Sequence, residues 1–300
     1  MKKILLATTI LVGTAGFAAA EVTLSGDARM GVTNNTDSGD TEFSSRARVK
    51  FTMSGETDGG LSFGASFRAH EAGDANGNTE MSSGSVFMSG AFGTITMGNV
   101  AGAAEAAVGD LSGVGYTGLG DFSDTVFLTG DGAEGEPIVQ YAYTAGDLSV
   151  YVSTSDGAQV ENYALGVGYK MGDYNFGLGY ESSSNAFGAP DGATHLVASV
   201  GGTFGAISAK AVYGKADVSG LDADQYGLSA TYTADALAVT GFYKVVDTSA
   251  LPGPFGKTTA TGIGASYDLG GGAAVKGGVV NVDFGPVDDS VYDLGVTFSF

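Results

Sequence analysis

The chain has four arginines, Arg29, Arg46, Arg48 and Arg68, and all of them fall within residues 29–68, with Lys50 and His70 beside them. The opposite bias marks residues 99–136, which contain Glu105, Asp110, Asp121, Asp124, Asp131, Glu134 and Glu136 and no lysine or arginine. A fixed cationic surface set against a fixed anionic one does no covalent chemistry. Across a water-filled gap it makes a transverse field that sorts solutes by charge and size. Covalent chemistry is poorly supplied here. The absence of cysteine removes thiolate nucleophiles and thiolate metal sites. The two histidines are His70, next to Glu71, and His195, between Thr194 and Leu196, too few for a histidine-rich metal site. A serine–histidine hydrolase using His195 is the enzymatic alternative. Acid pairs such as Asp288–Asp289 do not by themselves supply the separation across a cleft that acid–base work needs.

For the arginines to share a surface, the segments carrying them must have two unlike faces, and the sequence period is two. Val22, Leu24, Gly26, Ala28, Met30 and Val32 alternate with Thr23, Ser25, Asp27 and Arg29. Phe43, Ser45, Ala47, Val49, Phe51 and Met53 alternate with Ser44, Arg46, Arg48, Lys50, Thr52 and Ser54. Leu61, Phe63, Ala65, Phe67 and Ala69 alternate with Ser62, Gly64, Ser66, Arg68 and His70. Only strands place such sets on opposite faces, so all six basic side chains fall on one polar face. The pattern predicts sixteen strands, near 22–32, 44–56, 60–70, 83–91, 94–99, 137–146, 148–155, 160–170, 174–182, 193–203, 206–215, 223–234, 236–246, 258–269, 272–282 and 290–300. Tight connections such as Met171-Gly172-Asp173 alternate with longer polar ones at 33–43, 71–82, 183–192 and 247–257. Short turns on one side and long loops on the other fit antiparallel strands crossing a bilayer.

A soluble β-sandwich also alternates. Against it stand the strand number, tyrosines near strand ends (Tyr141, Tyr143, Tyr169, Tyr174, Tyr180, Tyr232, Tyr243, Tyr267) and a terminal strand, YDLGVTFSF, that stays apolar at alternate positions through Phe300. The fold class expected is therefore all-β, a transmembrane antiparallel barrel of sixteen strands, a size that leaves an aqueous lumen. An uninterrupted loop as long as 99–136 is unusual in a barrel unless it is functional. Folded into the lumen it sets its carboxylates against the basic wall, with the small residues AGAAEAAVGD at 101–110 packing against the inner wall as a short helix. The alternative is an external acidic loop in solvent.

Composition agrees. Glycine accounts for 51 of 300 residues, the formal charge is -20 and mean hydropathy is +0.14. A chain that is 43% hydrophobic is not an acidic disordered one, and its negative charge argues against a nucleic-acid partner. Residues 1–20 read as a signal peptide: Lys2 and Lys3, an apolar run from Ile4 to Val12, and Ala18-Ala19-Ala20 as the cleavage site. The mature chain is then 21–300, with 11 basic side chains against 33 acidic.

Several segments together resemble alphaproteobacterial, Rhodobacter-type general-diffusion porins. They are EVTLSGDARMGV at 21–32, SSRARVKFTMSGETDGGLSFGASFRAHEAG at 44–73, SGAFGTITMG at 89–98, GDLSGVGYTGLGD at 109–121, YDLGGGAAVKGGVV at 267–280 and the terminal YDLGVTFSF. The resemblance implies a homotrimer in the outer membrane of a Gram-negative bacterium, in contact with lipid and lipopolysaccharide. It implies a long third loop, about 99–136, folded inward to constrict the pore, with its acids facing a basic wall. Arg29, Arg46, Arg48 and Arg68 match that wall, and Glu105 and Asp110 match the acidic start of the loop, with Asp121, Asp124 and Asp131 in its more variable part. Such proteins need no cofactor but bind calcium near their loops, and Asp74, Asn76, Asn78 and Glu80 offer suitable hard oxygens. The function implied is passive diffusion of small hydrophilic solutes and ions, with the acidic excess giving mild cation preference. A substrate-specific channel for a sugar or an anion is the alternative, with Tyr116, Phe122 and Phe127 as its aromatic track.

Overall fold

In a computed structural model, the protein is described over residues 20–34, 40–72, 79–130, 138–155, 161–184, 192–251, 256–285 and 288–300. The signal-peptide assignment falls outside these residues up to position 19, as do Asp74, Asn76, Asn78, Asp131, Glu134 and Glu136.

Sixteen strands form in chain order: β1 (Glu21–Thr33), β2 (Glu42–Glu56), β3 (Ser62–Ala72), β4 (Thr79–Gly90), β5 (Gly93–Gly98), β6 (Ile138–Ala145), β7 (Leu148–Ser155), β8 (Asn162–Met171), β9 (Tyr174–Ser183), β10 (Ala193–Phe204), β11 (Ile207–Val218), β12 (Leu221–Ala234), β13 (Leu237–Asp247), β14 (Lys257–Gly270), β15 (Ala273–Asp283) and β16 (Asp288–Ser299). One helix, α1 (Ala103–Val108), lies between β5 and β6. Each strand pairs antiparallel with its chain neighbours, and β1 pairs with β16 from Asp27–Ser299 to Thr33–Asp293, closing a barrel with no free edge. The last residue completes the seam: Phe300 N–H donates to the Gly26 carbonyl at 2.9 Å, and Gly26 N–H to the Phe300 carbonyl at 3.2 Å.

The alternation sorts side chains as expected for a barrel in lipid, where every backbone polar group must be satisfied internally. The outer surface is apolar: Leu24 is 65% exposed, Leu165 51%, Leu228 56% and Leu294 58%. Tyr169, Tyr174 and Tyr267 are exposed beside the tight turns, and Tyr163 and Tyr180 face each other across β8 and β9 near the opposite rim. Those positions suit aromatic girdles at the two interfaces. The tight turns are closed by glycines in the left-handed region, such as Gly172 at φ 61°, which L side chains adopt at a cost.

The inner faces differ from the expectation in one respect. They are not uniformly polar. Val197 and Val212 join Ala103, Ala104, Val108, Leu111 and Ala164 in one buried cluster, and Phe242, Ala260, Val280, Val282 and Val291 join Val114 and Leu119 in another. The barrel has no core of its own; its buried apolar contacts lie where the long loop meets the inner wall. β4 also begins at Thr79, four residues before the expected start, because the polar run at its head gives no apolar alternation.

Candidate constriction site

Register decides how the basic side chains stand. In the β1–β2 pair, Arg29 lies opposite Arg46, Asp27 opposite Arg48, and Ser25 opposite Lys50. In the β2–β3 pair, Arg48 lies opposite His70 and Lys50 opposite Arg68. The backbone thus brings all six positions onto one patch of inner wall. Like charges directly opposite repel, and Asp27, absent from the sequence-derived site, relieves that repulsion. Its carboxylate accepts hydrogen bonds from Arg48 Nε at 2.9 Å to each oxygen, and Arg46 Nη2 stands 3.6 Å from it. This fork-like pairing fixes the plane of the Arg48 guanidinium. Arg29 turns instead toward the loop, donating from Nη1 to the carbonyls of Tyr116 (3.2 Å) and Thr117 (3.1 Å), with its guanidinium 5.8 Å from the centre of the Tyr116 ring.

The loop leaves the wall at Gly98 and folds inward. Its helix α1 seats on β7, β8, β9 and β10. The seat depends on missing side chains: a Cβ at Gly166 would overlap the Ala103 carbonyl, and one at Gly177 the Ala107 carbonyl. The alanines of α1 match that flatness, as the small residues at 101–110 lead one to expect. Wall side chains satisfy the helix ends. Ser153 Oγ accepts from Ala103 N–H at 2.9 Å, while Ser199 Oγ (3.1 Å) and Lys210 Nζ (2.6 Å) donate to the Val108 carbonyl.

Two buried carboxylates then fasten the loop at separate points. Asp293 on β16 accepts from the backbone N–H of Tyr116 (2.9 Å) and Thr117 (2.7 Å) and from Thr117 Oγ1 (2.7 Å). Glu181 on β9, fully buried, accepts from Leu128 N–H (3.1 Å), Thr129 N–H (3.0 Å) and Thr129 Oγ1 (2.7 Å). Its remaining contact is His195 Nδ1 at 2.8 Å, across the β9–β10 pair. His195 Nε2 lies 3.1 Å from the Gln225 amide nitrogen, and Gln225 both donates to and accepts from the Val126 backbone at 2.7 and 2.9 Å. Gly214 lies between them; a Cβ there would strike His195 and Gln225. Both histidine nitrogens are thus committed to holding the loop, and no serine bonds to either among the described residues. His195 is a fastening, not a general base.

Of the loop acids, Asp110, Asp121 and Asp124 are exposed to the lumen. Asp110 Oδ1 accepts from Thr125 N–H at 2.8 Å, drawing the loop's two limbs together. Asp121 holds the left-handed backbone conformation at φ 53°. Asp124 is crowded by partial burial and by the charges of Asp110 and Asp121, which push its carboxyl up to about 6. Glu105 is half-buried on α1, with Oε2 beside Gly130 at the base of the loop. The proposed aromatic track is not assembled: Tyr116 is buried, Phe122 packs on the Val280–Val291 cluster, and Phe127 packs on the cluster under α1. Among the described residues no group of three His, Cys, Asp or Glu side chains is placed to hold a metal ion, and Glu80, the described member of the suggested calcium set, lies in β4.

Comparison with known proteins follows the same lines. The Gram-negative porin family matches residues 7–285. The chain is 42% identical to a porin of Rhodobacter capsulatus and 27% identical to a porin of Fuscovulum blasticum, in each case over 93% of this chain and the whole of the relative. A porin structure refined at 1.8 Å superposes with a TM-score of 0.80 at 40% identity, over 93% of this chain and all of that one. A mutant of the Rh. blastica porin, 23% identical over the same share of both chains, shares the fold with a TM-score of 0.70.

Proposed function

This chain belongs to the Gram-negative porin family and forms a general-diffusion channel in the outer membrane, and on that premise we propose that its arginine wall and inward loop are the constriction that sets charge preference and size limit. No chemical step occurs. Solutes cross in water, and the protein contributes the shape of the passage and the field across it. The observation that carries the reading is the fastening of residues 102–130 to the inside of the closed barrel, with Arg29 of the wall hydrogen-bonded to the loop at Tyr116 and Thr117. With lumen-facing carboxylates on the loop and two of the wall arginines engaged with Asp27, the channel favours small cations mildly over anions. The packing of Tyr116, Phe122 and Phe127 into the wall speaks for general diffusion over a sugar or anion track.

Residues 1–20 serve as a cleaved signal peptide, a reading supported by their composition. The assembly is a homotrimer embedded among lipid and lipopolysaccharide, supported by its family.

Reversal potentials in a potassium chloride gradient test this reading, and pH sharpens the test. Asp124 loses its charge as pH falls through about 6, so cation preference is expected to decline between pH 8 and pH 5. In Asp124→Asn that step shrinks. A preference for anions at pH 8, or one that strengthens toward cations on acidification, contradicts the reading.

A further inference from the structure

Lys244 is 8% exposed, although a lysine ammonium is normally kept in water. It points inward from β13, opposite Gly227 on β12 and Ala260 on β14. The loop packs on the wall positions around it. Leu111 packs on Gly227, Leu119 and Phe122 pack with Phe242 and Ala260, and Val126 is hydrogen-bonded to Gln225, which lies opposite Val246. Acids lie close to three of these contacts in sequence: Asp110 before Leu111, Asp121 before Phe122, and Asp124 two residues before Val126. The bond from Thr125 N–H to Asp110 closes the group. The Lys244 charge acts on both Asp124 and Asp110. Burying this ammonium without carboxylates near it would be costly, and the loop supplies them.

We propose that Lys244 is a selectivity-determining residue of the channel: from beneath the loop its ammonium offsets part of the charge of Asp110 and Asp124, holding the cation preference of the constriction low. The inference rests on reading the loop as the constriction, and the experiment separates the two. Reversal potentials are measured on the full-length, folded protein with Lys244→Met, Lys244→Arg and Asp121→Asn. Lys244→Met is expected to raise the cation-to-anion permeability ratio about two-fold, the effect of one unit charge felt through several ångströms of water. Lys244→Arg, which keeps the charge, stays at the wild-type ratio, and Asp121→Asn lowers it. If Lys244→Met leaves the ratio unchanged while Asp121→Asn lowers it, the loop is the constriction and the role of Lys244 is overturned. If neither moves it, the constriction reading falls as well. Should Lys244→Met fail to assemble, Lys244→Gln decides: a polar neutral side chain is expected to raise the ratio by the same factor, and a wild-type ratio in Lys244→Gln overturns the proposal.

Discussion

Replacing Glu181 by Ala is expected to loosen the descending limb of the loop and to destabilise the folded channel. The substitution removes the acceptor of two backbone N–H groups, the Thr129 hydroxyl and His195 Nδ1, in a place with no exposure to water. A buried donor left without a partner costs about 1–3 kcal/mol, and breaking such a network at one member costs about 3–5 kcal/mol. Asp293 still holds Tyr116 and Thr117, so the loop stays inside the barrel but its far limb is free to move. Single-channel records of Glu181→Ala should therefore show larger current fluctuations in the open state, and thermal unfolding in detergent should shift downward. His195→Ala should give a weaker version of both, since it leaves the two N–H bonds to Glu181 intact. Wild-type noise together with wild-type unfolding in Glu181→Ala is the result that denies this fastening.

The second large effect belongs to the arginine wall. Neutralising Arg46 and Arg48 together, each to Gln, removes two positive charges and frees the carboxylate of Asp27 from its two direct partners. Both changes act in the same direction. The cation-to-anion permeability ratio is expected to rise about fourfold, from two unit charges each felt through water at several ångströms. Smaller side chains also widen the passage, so conductance should not fall. Asp27→Asn moves the ratio the opposite way, toward anions, and serves as the internal control. A ratio that stays put in the double variant, measured by reversal potential, places the constriction elsewhere in the lumen.

The wall was legible in the sequence because strand alternation is local. Once Val22, Leu24 and Met30 face lipid, Arg29 must face inward, and the same holds for Arg46, Arg48 and Arg68. The loop was legible from the absence of basic residues in 99–136 and the small residues that became α1. The fastenings were not. Glu181, Asp293, Gln225 and Lys244 occupy inward positions that any water-facing wall residue could hold, and only the packing of the loop turns them into buried partners. Asp27 was visible as an inward acid, but its pairing with Arg48 depends on the β1–β2 register. The doubly apolar run at Val279–Val280 hid a second signal: one residue meets lipid and the other meets Leu119 and Val114, so two apolar faces marked the seat of the loop.

Conductance of the purified, folded protein in planar bilayers tests the central claim most directly. A sixteen-stranded barrel narrowed by a fastened loop predicts stepwise insertion of long-lived open channels. Their current should rise linearly with potassium chloride concentration and pass small neutral polyols, with a sharp size limit that relaxes when residues 102–130 are loosened by Glu181→Ala. A bilayer that stays silent, or a current that saturates with and is blocked by one solute, contradicts it.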